Sequence, residues 1–309
     1  MEAPGNARGT DGRDGGCALL SIGELARATG VSENALRAWE RRYGRPVPQR
    51  LPSGHRRYGA GQVCLVRQVA EGLSRGLRLA DLMRAEPAAL ERLLAGTDPC
   101  AAGWEPRRLL DLAAHWRAAE IAAALRDSYE RLGPRGFVEQ RLAPLLRCVG
   151  SGWAAGRVEV RHEHFLSAVV EDLLRALRAG QPVPDGAPVV VLATLEDERH
   201  ELGLHMAALV CAARRVRPLL LGACAPLRDV AAAARESGAA GVAVGVSAAT
   251  CGPSTDRVLS ELRRQLPARV RLVVGGAQAR GVRRGPRGVD YLGNGGMSAF
   301  EGWLDGLRQ

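Results

Sequence analysis

The chain has 309 residues, 46% of them hydrophobic and 25% charged, which suits two or three soluble, core-forming domains. Its formal charge is +10, and all 43 basic side chains are arginine; without a lysine there is no Walker A lysine, no Schiff-base lysine and no Ser-x-x-Lys nucleophile. No uncharged apolar run reaches membrane-spanning length, the Gly-rich start lacks a signal-peptide core, and seven scattered Cys form no C-x-x-C pair, so the expectation is a cytoplasmic protein with neither a disulfide framework nor a thiolate zinc site.

Residues 1–17 are rich in Gly, Arg and Asp without periodicity and read as a disordered tail. Residues 18–95 read as the first domain. Its opening run, SIGELARATGV, gives a short helix stopped by Gly30, after which Ser32 caps a second helix bearing Asn34, Arg37, Arg41 and Arg42. Two short helices joined by a Gly-containing turn form a helix-turn-helix, whose second helix enters the major groove of double-stranded DNA. The Pro- and Gly-rich turn that follows carries His55, Arg56, Arg57 and Tyr58 as donors to phosphates, although Trp39 and Tyr58 also suit packing. Ten Arg against three Glu lie between residues 31 and 80, so most of the positive charge sits where a phosphate-binding face needs it. The run LRAWERRYG followed by GHRRY resembles the MerR family of winged helix-turn-helix regulators, which implies operator DNA as a partner. Relatives in that family that sense metals place thiolates near the end of a long dimerisation helix. No Cys pair is available here, so the resemblance leaves a different effector to be found.

After the linker AGTDPCAAGWEP, residues 104–180 repeat apolar positions at helical spacing, including Leu109, Leu112 and Trp116, Ile121 and Leu125, Leu142, Leu145 and Leu146, then Phe165, Val169, Leu173 and Leu177. The expectation is a bundle of about four helices. Within it, Trp153 is separated by nine intervening residues from Glu163 and His164. Gly152 and Gly156 bracket the tryptophan and allow a helix to end there, so that the next one folds back antiparallel.

Residues 187–309 change rhythm. Five short apolar runs (PVVVLATL, RPLLLGA, GVAVGVS, RLVVGG and VDYLGN) alternate with helical stretches, a βαβ series that predicts a five-stranded, doubly wound, flavodoxin-like parallel sheet. Ligands of such sheets bind beyond the carboxyl ends of the strands. That rim collects Glu198, His200 and Gly203 after the first strand, Leu221 and Gly222 after the second, Ser247 after the third, Gly275 and Gly276 after the fourth, and Asn294 after the fifth. Glycines let a bulky ligand approach the backbone; His200 is able to ligate a metal, with Glu198 behind it fixing the tautomer. The neighbouring HELGLH is not a zincin motif, since His-Glu-x-x-His needs histidine at position 204.

Glu198-x-His200-x-x-Gly203 and the series of rim residues resemble the cobalamin-binding domain in which a protein histidine replaces the corrinoid's own lower base. Glu198 stands where Asp is usual, and Ser247-Ala248-Ala249 departs from the usual Ser-x-Leu or Ser-x-Thr. The resemblance implies His200 as lower axial cobalt ligand and a slot for the nucleotide tail at Ser247, Gly275 and Gly276. The spacing W-x9-E-H matches the light-sensing CarH-like regulators, with the bundle as a cap over the corrin. That implies an adenosylcobalamin cofactor, with Trp153 packed over the adenosyl group and Glu163 bonded to it. His164 is then the upper ligand after photolysis. It further implies a non-enzymatic repressor that binds operator DNA in darkness as a homo-oligomer, dimer or tetramer, occludes the promoter to RNA polymerase, and lets go in light. Three alternatives stay open at this point: a light-independent cobalamin sensor, a corrinoid methyl-transfer protein, and a regulator whose eroded pocket binds a protein partner.

Overall fold

The computed structural model describes residues 19–74, 77–95, 106–154, 159–196, 198–246, 253–276, 287–293 and 296–308; the expected tail lies outside them. Among the described residues no helix is long and apolar enough to cross a membrane.

The amino-terminal module is built from its caps. Helix α1 (Ile22–Thr29) opens on a capping box: the Ser21 amide donates to Glu24 Oε2 at 2.6 Å, and the Glu24 amide donates to Ser21 Oγ at 3.3 Å. Gly30, with φ 66°, stops it. Ser32 accepts from the Ala35 amide to start α2 (Glu33–Tyr43), and Gly44 ends that helix in the same left-handed conformation. A two-stranded antiparallel wing, β1 (Gln49–Arg50) and β2 (Arg56–Arg57), leads into α3 (Ala60–Ser74), α4 (Leu79–Arg84) and α5 (Pro87–Ala95). Leu25, Leu36, Trp39, Tyr58, Val69, Leu82 and Leu90 form the core of this module.

The bundle comprises α6 (Pro106–Ala114), α7 (Ala118–Phe137), α8 (Ala143–Ala154) and α9 (Val160–Ala179), with a π-helical turn over Val138–Leu142 joining α7 to α8. Helix α7 is broken at Gly133 (φ 66°, ψ 174°), where Pro134 starts the next segment, so four rods result. The parallel sheet follows: β3 (Val189–Thr194), β4 (Arg217–Gly222), β5 (Gly241–Gly245), β6 (Arg271–Gly275) and β7 (Val289–Tyr291), in the order β4-β3-β5-β6-β7. This is the expected flavodoxin-like order, with its switch point beside β3.

Alternation along β3 divides the core. Val190 and Leu192 join α10 (Leu202–Ala213), α13 (Gly296–Asp305) and the bundle, whereas Val191 and Ala193 join α11 (Leu227–Glu236) and α12 (Pro253–Gln265). Helix α10 therefore lies between sheet and bundle, and eight of its twelve residues are buried, including His205. Helix α3 of the amino-terminal module lies against α8 of the bundle.

Candidate cobalamin and DNA sites

The loop after β3 is pinned from its root. Thr194 Oγ1 donates to the Glu198 carbonyl at 2.5 Å and accepts from the Cys224 amide at 2.9 Å, while the Cys224 amide also reaches the Glu198 carbonyl at 3.2 Å. The turn after β4 closes on this loop through Gly222 (φ 86°) and Cys224 (φ 54°). Glu198 itself is buried, at 1% exposure, and a buried carboxylate is costly unless its oxygens accept hydrogen bonds. It accepts two through Oε1: from the His200 backbone amide at 2.9 Å and from His200 Nδ1 at 2.6 Å.

That arrangement dedicates Nδ1 to the carboxylate and leaves Nε2 as the nitrogen with a lone pair to offer. The hydrogen bond to Glu198 pushes the His200 pKa up, against an opposing pull from burial. The imidazole keeps 57% of its side-chain surface open although the recess around it is crowded. Facing it from the bundle is Glu163, in the first turn of α9, whose carboxyl is pushed up by burial and held down by the positive fields of His164, His200 and Arg67. His164 is exposed.

The glycines on the rim differ in what they permit. At Gly276 (φ 113°) a Cβ would lie 2.1 Å from the Val246 carbonyl oxygen, so only glycine fits. At Gly275 it would lie 3.0 Å from the Leu292 side chain, whereas at Gly203 it would meet nothing within 4 Å, which leaves bare helix surface beside His200. Leu221 is exposed on the same rim. Ser247 and Asn294 lie outside the described residues. Trp153 falls in the last turn of α8, the end of the bundle where α9 begins, and its side chain also lies outside them. One imidazole backed by a carboxylate, beside the bare Gly203 and near Glu163 and His164 of the bundle, fits a planar metal macrocycle in its donor chemistry.

In the amino-terminal module Asn34, Arg37, Arg41 and Arg42 are all exposed along α2, and His55 and Arg56 are exposed on the wing with Arg57 half-buried. Arg37 pairs with Glu33 at 2.8 Å, and Arg56 with Glu40 at 3.0 Å. Tyr58 is a correction to the sequence reading. It is fully buried, its backbone bridges to Leu20, and its hydroxyl donates to Glu40 Oε2 at 3.3 Å, so it braces the wing and offers nothing to phosphates. The sequence reading also missed Thr194, Cys224 and Arg67. A hydroxyl at a strand's carboxyl end was a local hint for Thr194; no local pattern marks Arg67.

A DNA-reading module joined to a helical lid and a sheet with an imidazole at its rim defines a class: a ligand-responsive DNA-binding protein. Comparisons with known proteins specify it. Residues 21–58 match the MerR family regulatory protein, and residues 107–178 and 188–299 each match a B12 binding domain. The transcriptional repressor CarH of Myxococcus xanthus is 31% identical over 270 residues, covering 84% of this chain and 89% of that relative. The repressor CarA of the same organism is 32% identical over 220 residues, covering 67% of this chain and 69% of the relative. The monomethylamine corrinoid protein of Methanosarcina barkeri superposes with a TM-score of 0.50 at 13% identity, over 64% of this chain and 96% of that one, which is a likeness of fold. The chain belongs to the CarH-like MerR-family transcriptional regulators with B12-binding domains.

Proposed function

We propose that this protein is a light-responsive repressor that binds adenosylcobalamin, holds operator DNA as an oligomer in darkness and releases it in light. The observation that carries the cofactor assignment is the Glu198–His200 pair: a carboxylate fixes Nδ1 at 2.6 Å and so presents Nε2 beyond the carboxyl ends of the strands. Adenosylcobalamin, when bound, would supply a corrin chromophore that absorbs visible light and a weak cobalt–carbon bond that the light breaks. Everything else is the work of the chain. His200 would hold the cobalt through Nε2, Glu198 would fix its tautomer, and the bare Gly203 and exposed Leu221 would lie beside the corrin, with Gly222, Gly275 and Gly276 at the neighbouring strand ends toward its tail. Glu163, in the first turn of α9, would hydrogen-bond the adenosyl group, and His164, exposed one residue on, would be the second imidazole able to ligate the cobalt after photolysis.

The DNA side follows from linkage. Exposed arginines on α2 and the wing contact phosphates in each protomer, and several modules held together gain affinity without any new contact. Loss of the oligomer therefore weakens DNA binding even though each module is intact. Repression works by occupying a promoter against RNA polymerase. The test is operator retardation and molecular size, each in darkness and after green light, with adenosylcobalamin present. A large, DNA-retaining species in darkness that becomes small and DNA-free in light is expected. Retention and size that follow cofactor level but ignore light would replace the photosensor with a cobalamin sensor acting through the same residues.

A further inference from the structure

The DNA-binding module touches the cobalamin site. At Gly30, the turn between α1 and α2, a Cβ would lie 2.6 Å from His200 Nε2 and 2.7 Å from Cε1. The turn's backbone is thus pressed against the edge of the imidazole that Glu198 leaves open. Arg67 of α3 braces the contact: its guanidinium donates to the Ala28 carbonyl, two residues before Gly30, at 3.4 Å. The same guanidinium lies within electrostatic reach of Glu163 in the lid. Helix α3 packs on α8 beside it. One module therefore meets both walls of the cleft, the sheet at His200 and the bundle at Glu163.

We propose that the cobalamin-free chain is latched: the Gly30 turn and Arg67 of the DNA-binding module occupy the mouth of the cobalamin cleft, and the cofactor and this latch exclude one another. The inference rests on His200 being the cobalt ligand. A macrocycle held at Nε2 needs the space that the Gly30 turn fills, so loading the cofactor expels the module. The latch leaves Asn34, Arg37, Arg41 and Arg42 exposed. It therefore fixes where the module points without covering the face that reads DNA, and cofactor loading frees the module to be placed by the oligomer. Gly30 then has two reasons to be glycine: its left-handed φ of 66° and its close approach to the imidazole.

The cost is borne by cofactor affinity, because the competent fraction sets the apparent constant; a latch closed in ten chains for each open one weakens binding about tenfold. The experiment uses the full chain and adenosylcobalamin in darkness. Hydrogen exchange should speed up across residues 27–33 and slow down across 198–203 when cofactor is added. Arg67→Glu should show fast exchange across 27–33 without cofactor, and should bind cofactor about tenfold more tightly than the parent chain. Unchanged exchange across 27–33 on loading, or equal affinity in a folded Arg67→Glu chain, would overturn the latch while leaving the cobalamin site standing. If Arg67→Glu does not fold, exchange in the parent chain decides alone. A parent chain that keeps no chromophore and gains no protection across 198–203 would instead remove the cobalamin assignment, and the exclusion with it.

Discussion

His200 and His205 stand five residues apart and each meets a glutamate, yet their surroundings are opposite. His200 lies on the rim loop, keeps 57% of its side-chain surface and is bonded through Nδ1 to Glu198, which pushes its pKa up. His205 lies on α10, enclosed between sheet and bundle; burial pushes its pKa down, Nε2 is 3.1 Å from Glu171 Oε1, and its buried Nδ1 has no partner among the described residues. Glu171, Glu201 and His205 bring ligand atoms within 4.8 Å of one another, but Arg175 pairs with Glu171 and, with Arg178, supplies the countercharge. What separates the two imidazoles is therefore which nitrogen the carboxylate holds, Nδ1 at His200 and Nε2 at His205, and how much of the ring is exposed. Residue type and a nearby carboxylate are common to both.

Substitutions can break this contrast. His200→Ala should produce the largest effect, a loss of cofactor affinity beyond the roughly 10–100-fold that removal of an outer partner causes, read from dark adenosylcobalamin titrations. Glu198→Ala keeps the imidazole but frees its tautomer, and an affinity loss of about 10–100-fold is expected. If the two variants bound cofactor as the parent does, the rim histidine would be no more a ligand than the buried one.

His205→Leu sharpens the contrast from the other side: cofactor affinity should change by less than about twofold, because no contact with the rim is lost. Its signature is in acid. A histidine whose folded pKa lies below the ordinary value of about 6.5 is neutral when folded and protonated when unfolded, so the unfolded chain holds more protons and stability falls as pH drops below about 6.5. Urea midpoints at about pH 7 and about pH 5 should differ less in His205→Leu than in the parent chain. An unchanged difference would mean that His205 is already protonated when folded.

The same division between contact and brace holds in the amino-terminal module. Arg41→Ala should lower the salt dependence of DNA binding by about one ion, whereas Tyr58→Phe should leave that slope alone and cost roughly 1 kcal/mol of stability through its lost bond to Glu40. A change in slope for Tyr58→Phe would return that side chain to the DNA face.

Local chemistry was legible from sequence. Ser21 and Glu24 announce the first helix, the unbroken apolar run VVVLAT announces a strand buried on both faces, and a two-residue spacing lets Glu198 reach both the amide and Nδ1 of His200. Tyr58 was read as both donor and packing residue because GHRRY alone does not say which side of the wing faces the core. His205 passed as part of a failed zincin motif; its burial depends on α10 being covered by sheet and bundle at once, which is decided by tertiary packing. The approach of Gly30 to His200 joins positions 170 residues apart and leaves no periodic trace in either segment.

The central claim is that His200 holds a cobalt corrinoid at the rim of the sheet. The direct measurement is the visible spectrum of the full chain after loading with adenosylcobalamin in darkness and desalting, beside His200→Ala treated identically. A parent chain that stays coloured, with a spectrum that differs from the variant's and changes under green light, is the expected result. A colourless parent chain, or a coloured pair with identical spectra, would contradict it.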